Sequence, residues 1–522
     1  MSPDVIVVGA GLAGMTAALA AEEAGADVAL VDRGAIGLGT NSALSNAVFS
    51  GPISPGRADE YVDLVLRVGK QLNRVAYVRQ VARESSGAVA FLQSLGLEIA
   101  RIPGQWSVRS ARPEVIPGVV LVRRVAELVA ARSRIRAARG LYVRRLLTSS
   151  DGVFGIAGVD RGGRERTIRA PAVILACGGA GAIYSRHDNQ ASMMGQGYRL
   201  AAGAGLALWD MEFVQCYPIV LDEPEMPMVM IYPPYPREAT LIDASGADLL
   251  KKHHLGDINQ AIVRERDTFA AMLAAEAHAG SVCVDLRAVP DASWAFHPLS
   301  LLARFRSECR SRPVRISPAV HFFMGGVQTD EEGRTSHTGL FACGEMVWGL
   351  HGANRMGGNA LMECLVSGRR AGLGAARWVR AHSEDATDPV PASGETVSGE
   401  DRVDLRDLRR RLQDVAWKHA GVVRSGEGMA AGVRMAEELW RTLHRARVGT
   451  PRERILRDDL MSAAFTLRAV LTAGLGRLES RGSFLRDDYP AQDDARWLKN
   501  SRTSWDPDSD RLHVDYLPVN AA

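Results

Sequence analysis

The first apolar run of the chain, Asp4 to Val8, is short and unbroken, the pattern of a strand buried on both faces of a parallel sheet. It leads directly into Gly9-Ala-Gly-Leu-Ala-Gly14. The Ala- and Glu-rich stretch Met15 to Ala24 predicts a helix, Gly25 its stop, and Asp27 to Val31 a second strand ending at Asp32. Between Leu141 and Ile174, apolar runs broken by Asp151-Gly152 and Gly162-Gly163 predict a three-stranded antiparallel meander. Ala172 to Ala176 is a buried strand leading to Gly178-Gly179, and Gly339-Leu-Phe-Ala-Cys-Gly344-Glu345 repeats that arrangement. Leu405 to Ala416, Gly428 to Leu443 and Ile455 to Leu478 carry apolar residues at helical spacing with charged opposite faces. Before them, His382 to Glu400 is rich in Pro, Ser, Gly, Asp and Thr, the composition of a solvated linker.

A length of 522 residues exceeds what one hydrophobic core serves and predicts two or three domains. Apolar residues at 46% and charged ones at 24% exclude a disordered or fibrous chain. The net charge of +3 gives no general basic field, so no nucleic-acid partner is expected, and Arg409 to Arg411 reads as a solvated helix face. The cysteines, at 177, 216, 283, 309, 343 and 364, have neither metal nor cluster spacing. They indicate a reducing, cytoplasmic location, no metal ligands, and an iron–sulfur centre, where one is needed, on another subunit. The first strand leaves no room for a signal peptide, and no apolar stretch approaches the ~18 residues of a membrane span. A membrane contact is therefore expected only through partners.

Strand, Gly-rich turn, helix and second strand form a βαβ unit suited to a dinucleotide. The first two glycines allow a tight turn and close backbone approach, and the third lets helix pack on strand. Asp32, eighteen positions after Gly14, is placed to accept hydrogen bonds from ribose hydroxyls. This unit alone leaves FAD and NAD both open. The meander is similar to that of glutathione-reductase-like FAD proteins, and Glu345 stands where a carboxylate meets ribitol or ribose hydroxyls.

Gly178-Gly-Ala-Gly-Ala-Ile-Tyr184 and Asp210-Met-Glu-Phe-Val-Gln215 resemble motifs of the flavoproteins of succinate dehydrogenase, fumarate reductase and L-aspartate oxidase. His321-Phe-Phe-Met-Gly-Gly326, Gly349-Leu-His-Gly-Ala-Asn-Arg355, Glu479-Ser-Arg-Gly482, Asp488-Tyr-Pro490 and Trp497-Leu-Lys499 follow in the family's order. The resemblance implies an α/β fold: a discontinuous glutathione-reductase-like FAD-binding Rossmann domain (1–216 and 321–381), an inserted α+β capping domain (217–320), a linker (382–402), and a C-terminal helical domain with an extended tail (403–522).

It also implies hydride transfer between flavin N5 and a carboxylate substrate, succinate or fumarate or a less polar analogue, with electrons exchanged with a separate iron–sulfur subunit. Carried over by position, Arg287 is the proton-transferring arginine, His321 binds a substrate carboxylate and Arg355 clamps one. A guanidinium fork fits a carboxylate, and fixed positive charge favours the electron-rich species formed as hydride arrives. The positions expected to bind FAD are Gly9, Gly11, Gly14, Asp32, Asn41, Ser42, Gly178, Gly179, Glu345, Asn359 and Leu361. Arg264, Glu265, Arg266 and Asp267 read as a solvated helix face, with a proton relay as the alternative. His351 is expected to support the flavin or the turn, and Trp348 to serve packing.

Departures from the family bear on the substrate. Cys216-Tyr217-Pro218 stands where the dicarboxylate enzymes usually read Phe-His-Pro, and Met230-Ile-Tyr-Pro-Pro-Tyr235 replaces a Thr-Glu-Gly that helps bind the distal carboxylate. A more apolar far end of the pocket follows. Members that bind FAD covalently use a histidine in the segment matching Thr40 to Asn46. No histidine precedes His187 here, so non-covalent FAD is expected. Gln196 replaces an acidic residue common in the family. An L-aspartate oxidase-like enzyme and an FAD electron-transfer subunit remain alternatives.

Overall fold

Val5–Val8 (β1), Val28–Asp32 (β2), Ile135–Arg139 (β3), Ala172–Leu175 (β4) and Leu340–Ala342 (β5) form one parallel sheet in the order β5-β4-β1-β2-β3. This is seen in the computed structural model, which describes residues 2–519 apart from 53, 103, 151, 383–398 and 400. Every side chain of β1 and β4 is buried, the reason both read as unbroken apolar runs and not as alternation. The expected meander is present, with Leu141–Ser149, Gly152–Asp160 and Glu165–Arg169 paired antiparallel in that order.

Helix α1 (Leu12–Glu23) leads out of the Gly-rich turn and lies against α3 (Asn359–Ala381), with α2 (Ile258–Ala279) between them in the chain. The contact of α1 with α3 is backbone on backbone. A Cβ on Gly368 would lie 2.5 Å from the Ala13 carbonyl oxygen, and one on Gly372 2.2 Å from that of Ala17. Small residues on both helices allow this approach, which fixes the middle of α3 against the first turns of α1.

Between β4 and β5 the chain builds a second module. Its antiparallel sheet runs in the order Val214–Leu221, Val314–Phe323, Val282–Asp285, Thr240–Ile242, and α2 packs on it. This cap has its own apolar core, reaching from Tyr217 to Ala319 and including Ile219, Leu241, Leu273 and Trp294.

Helices α4 (Leu405–Ala420), α5 (Gly426–Arg445) and α6 (Pro451–Gly476) pack on one another. The start of α6 is set by Pro451 in its first turn and by a reciprocal capping box between Thr450 and Glu453. The linker expected at 382–402 lies for the most part outside the described residues. The tail is a hairpin, Lys499–Asp506 with Arg511–Pro518, and it pairs with Leu208–Trp209, ahead of the cap, to complete a sheet.

Beside this sheet lies a buried polar cluster. Arg477 pairs with Glu212 at 2.8 Å and Glu479 at 2.9 Å, Arg481 pairs with Glu479 at 2.7 Å, and all four side chains are fully buried. Asp210 accepts from Trp348 Nε1, Asn500 Nδ2 and the Ser501 amide. Burial, with Glu212 nearby, pushes the Asp210 carboxyl up to about 7. Among the described residues no helix is long and apolar enough to cross a membrane.

Candidate active site

A cleft of about 1280 Å³ is lined by residues from the parallel-sheet part, the cap and the C-terminal part. Asn41, Ser42, Glu345 and Leu361 line one end, and behind Ser42 lies a backbone cradle that does not itself line the cleft. Gly9 has φ +107°, and a Cβ there would lie 2.3 Å from the Ala176 carbonyl oxygen; one on Gly14 would lie 1.9 Å from that of Gly9. These two glycines are demanded by the turn itself. At Gly11, by contrast, a Cβ would meet no protein atom closer than Ser42 Oγ at 3.6 Å. Protein packing does not require glycine at that point, whereas a pyrophosphate approaching the α1 N-terminus does.

Asp32 accepts from the Ala10 amide at 2.7 Å and the Gly34 amide at 2.6 Å; burial raises its pKa and the two donors oppose that rise. Ser42 Oγ accepts from the Leu12 amide at 3.2 Å, so this hydroxyl sits on the first turn of α1. Asn41 donates to Asn189 Oδ1 and accepts from the Gln190 amide, and it lines the cleft. Glu345 accepts from the Phe323 amide at 3.3 Å, and burial pushes its carboxyl up to about 7. Gly179 makes room for it, since a Cβ there would lie 2.2 Å from Glu345 Oε1, and Gly178 turns the chain with φ +72°.

The first turn of α3 completes this end. Its N-cap, Gly358 at φ +83°, offers no side-chain cap. Asn359 accepts from Tyr61 through Oδ1, its buried Nδ2 has no partner, and Leu361 lines the cleft. An open cradle, a carboxylate ready for hydroxyls and an uncapped helix start fit a dinucleotide with a flavin. Gln196 donates to the Val143 carbonyl at 2.6 Å and tethers the meander.

The other end is cationic. Arg355 is buried, its guanidinium 5.0 Å from the Phe322 ring centre, and its Nε donates to Gln215 Oε1 at 3.1 Å. Burial, and after it the charge of Arg266, lowers the Arg355 pKa to about 10. Arg266 donates through Nη2 to the Arg355 carbonyl oxygen and to Asn354 Oδ1, while its buried Nε has no partner. No carboxylate of the described residues forms an ion pair with either guanidinium. His321 Nδ1 lies 2.7 Å from Asp188 Oδ2, and both residues line the cleft. Two guanidiniums without a carboxylate beside a histidine anchored on one make an anion site.

Residues 4–361 match the family model for the FAD binding domain, and residues 409–522 that for the fumarate reductase flavoprotein C-term. The chain belongs to the flavoprotein family of succinate dehydrogenase, fumarate reductase and L-aspartate oxidase. The flavoprotein is 33% identical to L-aspartate oxidase of Caulobacter vibrioides over 94% of this chain and 94% of the relative. It is 27% identical to a subunit of the fumarate reductase (CoM/CoB) of Methanothermobacter marburgensis, over 93% and 94%. Its fold superposes on a quinol–fumarate reductase solved with menaquinol molecules at a TM-score of 0.87, with 22% identity and coverage of 100% and 99%. The flavoprotein is an oxidoreductase and its cofactor is FAD.

The structure corrects one assignment within the flavoprotein. Arg287 stands on the outside of the cap, its side chain 51% exposed, where it pairs with Asp285 at 2.7 Å; it does not line the cleft. Its acidic neighbour two positions back closes that ion pair at the surface. Arg266, read as part of a solvated helix face, enters the cleft instead, because α2 breaks at Glu265 (φ −137°, ψ 35°). A signal existed: Ile262, Arg266, Phe269 and Leu273 share one helical face, and the other three are buried. Asp267, half-buried with its pKa raised by burial, accepts from Asn354 Nδ2. Asp188 gave no pattern of its own, and Asn354 lies within the Gly349-to-Arg355 run without a role read from it. His351 pairs with buried Glu363 at 2.9 Å, and Trp348 stacks on Trp209.

Proposed function

We propose that this flavoprotein interconverts an α,β-unsaturated carboxylate and its saturated counterpart. The observation that carries the reading is the pair Arg355 and Arg266, free of carboxylate partners, at one end of a cleft whose other end fits FAD. Bound FAD would supply the hydride acceptor or donor.

Arg355 and His321 hold the substrate carboxylate. Asp188 fixes the imidazole through Nδ1 and leaves Nε2 for the ligand. Arg266 faces the same space and exchanges a proton with the substrate carbon through its guanidinium. Arginine stays charged in proteins, so the proton must be replaced promptly, and Asp267 with Asn354 forms the hydrogen-bonded route.

FAD is proposed to be held without a covalent bond. His321 is the only histidine among the described residues that line the cleft, and Asp188 engages it. Acid precipitation should leave all the yellow colour in the supernatant; colour retained in the pellet contradicts this. A separate electron-carrying subunit is supported by six dispersed free cysteines and by the name of the Methanothermobacter relative, which is one subunit of its reductase. The names of the L-aspartate oxidase relatives favour a second reading, oxidation at the Cα–N bond of an amino acid.

Anaerobic mixing of the reduced flavoprotein with enoates decides between them. Reoxidation by an enoate, and no hydrogen peroxide when the oxidised protein meets L-aspartate in air, supports the first reading; the converse supports the second.

A further inference from the structure

We infer that the substrate is a monocarboxylate with a bulky apolar β-substituent, aryl or branched alkyl, and not a dicarboxylate. This rests on the carboxylate-binding reading above. Beyond Arg355 and Arg266 the cap wall of the cleft is made by Tyr217, Met228, Met230, Tyr232, Ile262 and Leu301.

Tyr217 presents its ring and not its hydroxyl. The hydroxyl donates to the Ile231 carbonyl at 3.2 Å, the same oxygen that takes the Tyr235 hydroxyl, and the Tyr217 ring centre lies 6.0 Å from that of His321. Met228 is also committed, its sulfur accepting from the His187 amide. Among the described cap residues that line the cleft, Arg266 is the only cation, and Glu265 and Asp267 flank it. A second carboxylate pointing this way would lose its water against aromatic rings and two thioethers, and would meet Glu265 and Asp267 beside the one cap cation. A phenyl or branched alkyl group loses nothing there, and flexible methionines adapt to its outline.

Equilibrium binding to the oxidised, FAD-loaded protein tests this, with the shift of the visible flavin spectrum as readout and saturated ligands as probes. 3-Phenylpropionate is expected to bind about tenfold or more tightly than succinate, from the apolar area it buries. Met230→Arg, which places a cation on the wall, is expected to reverse that order. Succinate binding as tightly or more tightly, or absence of 3-phenylpropionate binding, overturns the inference. Binding and turnover separate the two readings. Tight 3-phenylpropionate binding supports the ligand class even when no enoate reoxidises the flavin, an outcome that removes the hydride-transfer reading alone.

Discussion

Arg355 is a guanidinium under an aromatic ring with no carboxylate beside it, and Arg287 is one held by its own neighbour at the surface. Charge type alone does not separate them; surroundings do. Arg266→Ala is expected to lower kcat/KM by about 10³-fold, because it removes both a charge and a proton donor from the reacting end. Arg287→Ala should stay within about twofold, as an exposed pair contributes little. Steady-state kinetics on the two variants checks the correction directly. His321 and Arg355 were legible because each sits beside Gly-rich turns in a dense motif, whereas Arg266 lies in a stretch without such company.

Asp210 yields a pH prediction. Its carboxyl is raised from 3.8 to about 7 in the folded chain, so burial disfavours the ionised form. Its contribution to stability is full below the unfolded value and is lost as pH rises through the folded one. Asp210→Asn should therefore gain in Tm relative to the parent as pH is raised from about 4 to about 8. Paired thermal melts across that range measure the difference, and a gap that is constant with pH contradicts the assignment.

At the scale of elements, α1 and α3 touch through backbone, and the cofactor cradle depends on that contact because the first turns of α1 rest on the middle of α3. Gly372→Ala places a methyl against the Ala17 carbonyl and is expected to destabilise the fold by about 1–3 kcal/mol. Denaturant unfolding measures this, and FAD should dissociate more readily from the variant. The sheet strands were readable as unbroken apolar runs because they are covered on both faces. The break in α2 was not, since neither Pro nor Gly marks it, although Arg266 shares a helical face with buried Phe269 and Leu273. The tail hairpin carried its own alternation, Leu512, Val514 and Tyr516, but its partner Leu208–Trp209 lies far upstream, so the pairing left no local trace.

At the scale of the whole molecule, the buried cluster at Arg477 joins the end of α6, the tail and the Asp210-to-Glu212 turn. Arg477→Met would leave buried Glu212 without its cation, while Glu479 keeps Arg481, and is expected to cost about 3–5 kcal/mol, read by chemical unfolding. Loss below about 1 kcal/mol would mean the cluster relaxes without its cation.

The cap leaves and re-enters the parallel-sheet part through Val214–Leu221 and Val314–Phe323, and these two strands are paired with each other. Entrance and exit are neighbours, as in a cassette. The apolar wall proposed to select the substrate lies in the cassette, while Arg355 and the positions proposed to hold the flavin lie outside it. Substitutions confined to that wall can therefore alter what the cleft accepts without moving the positions proposed to hold the flavin.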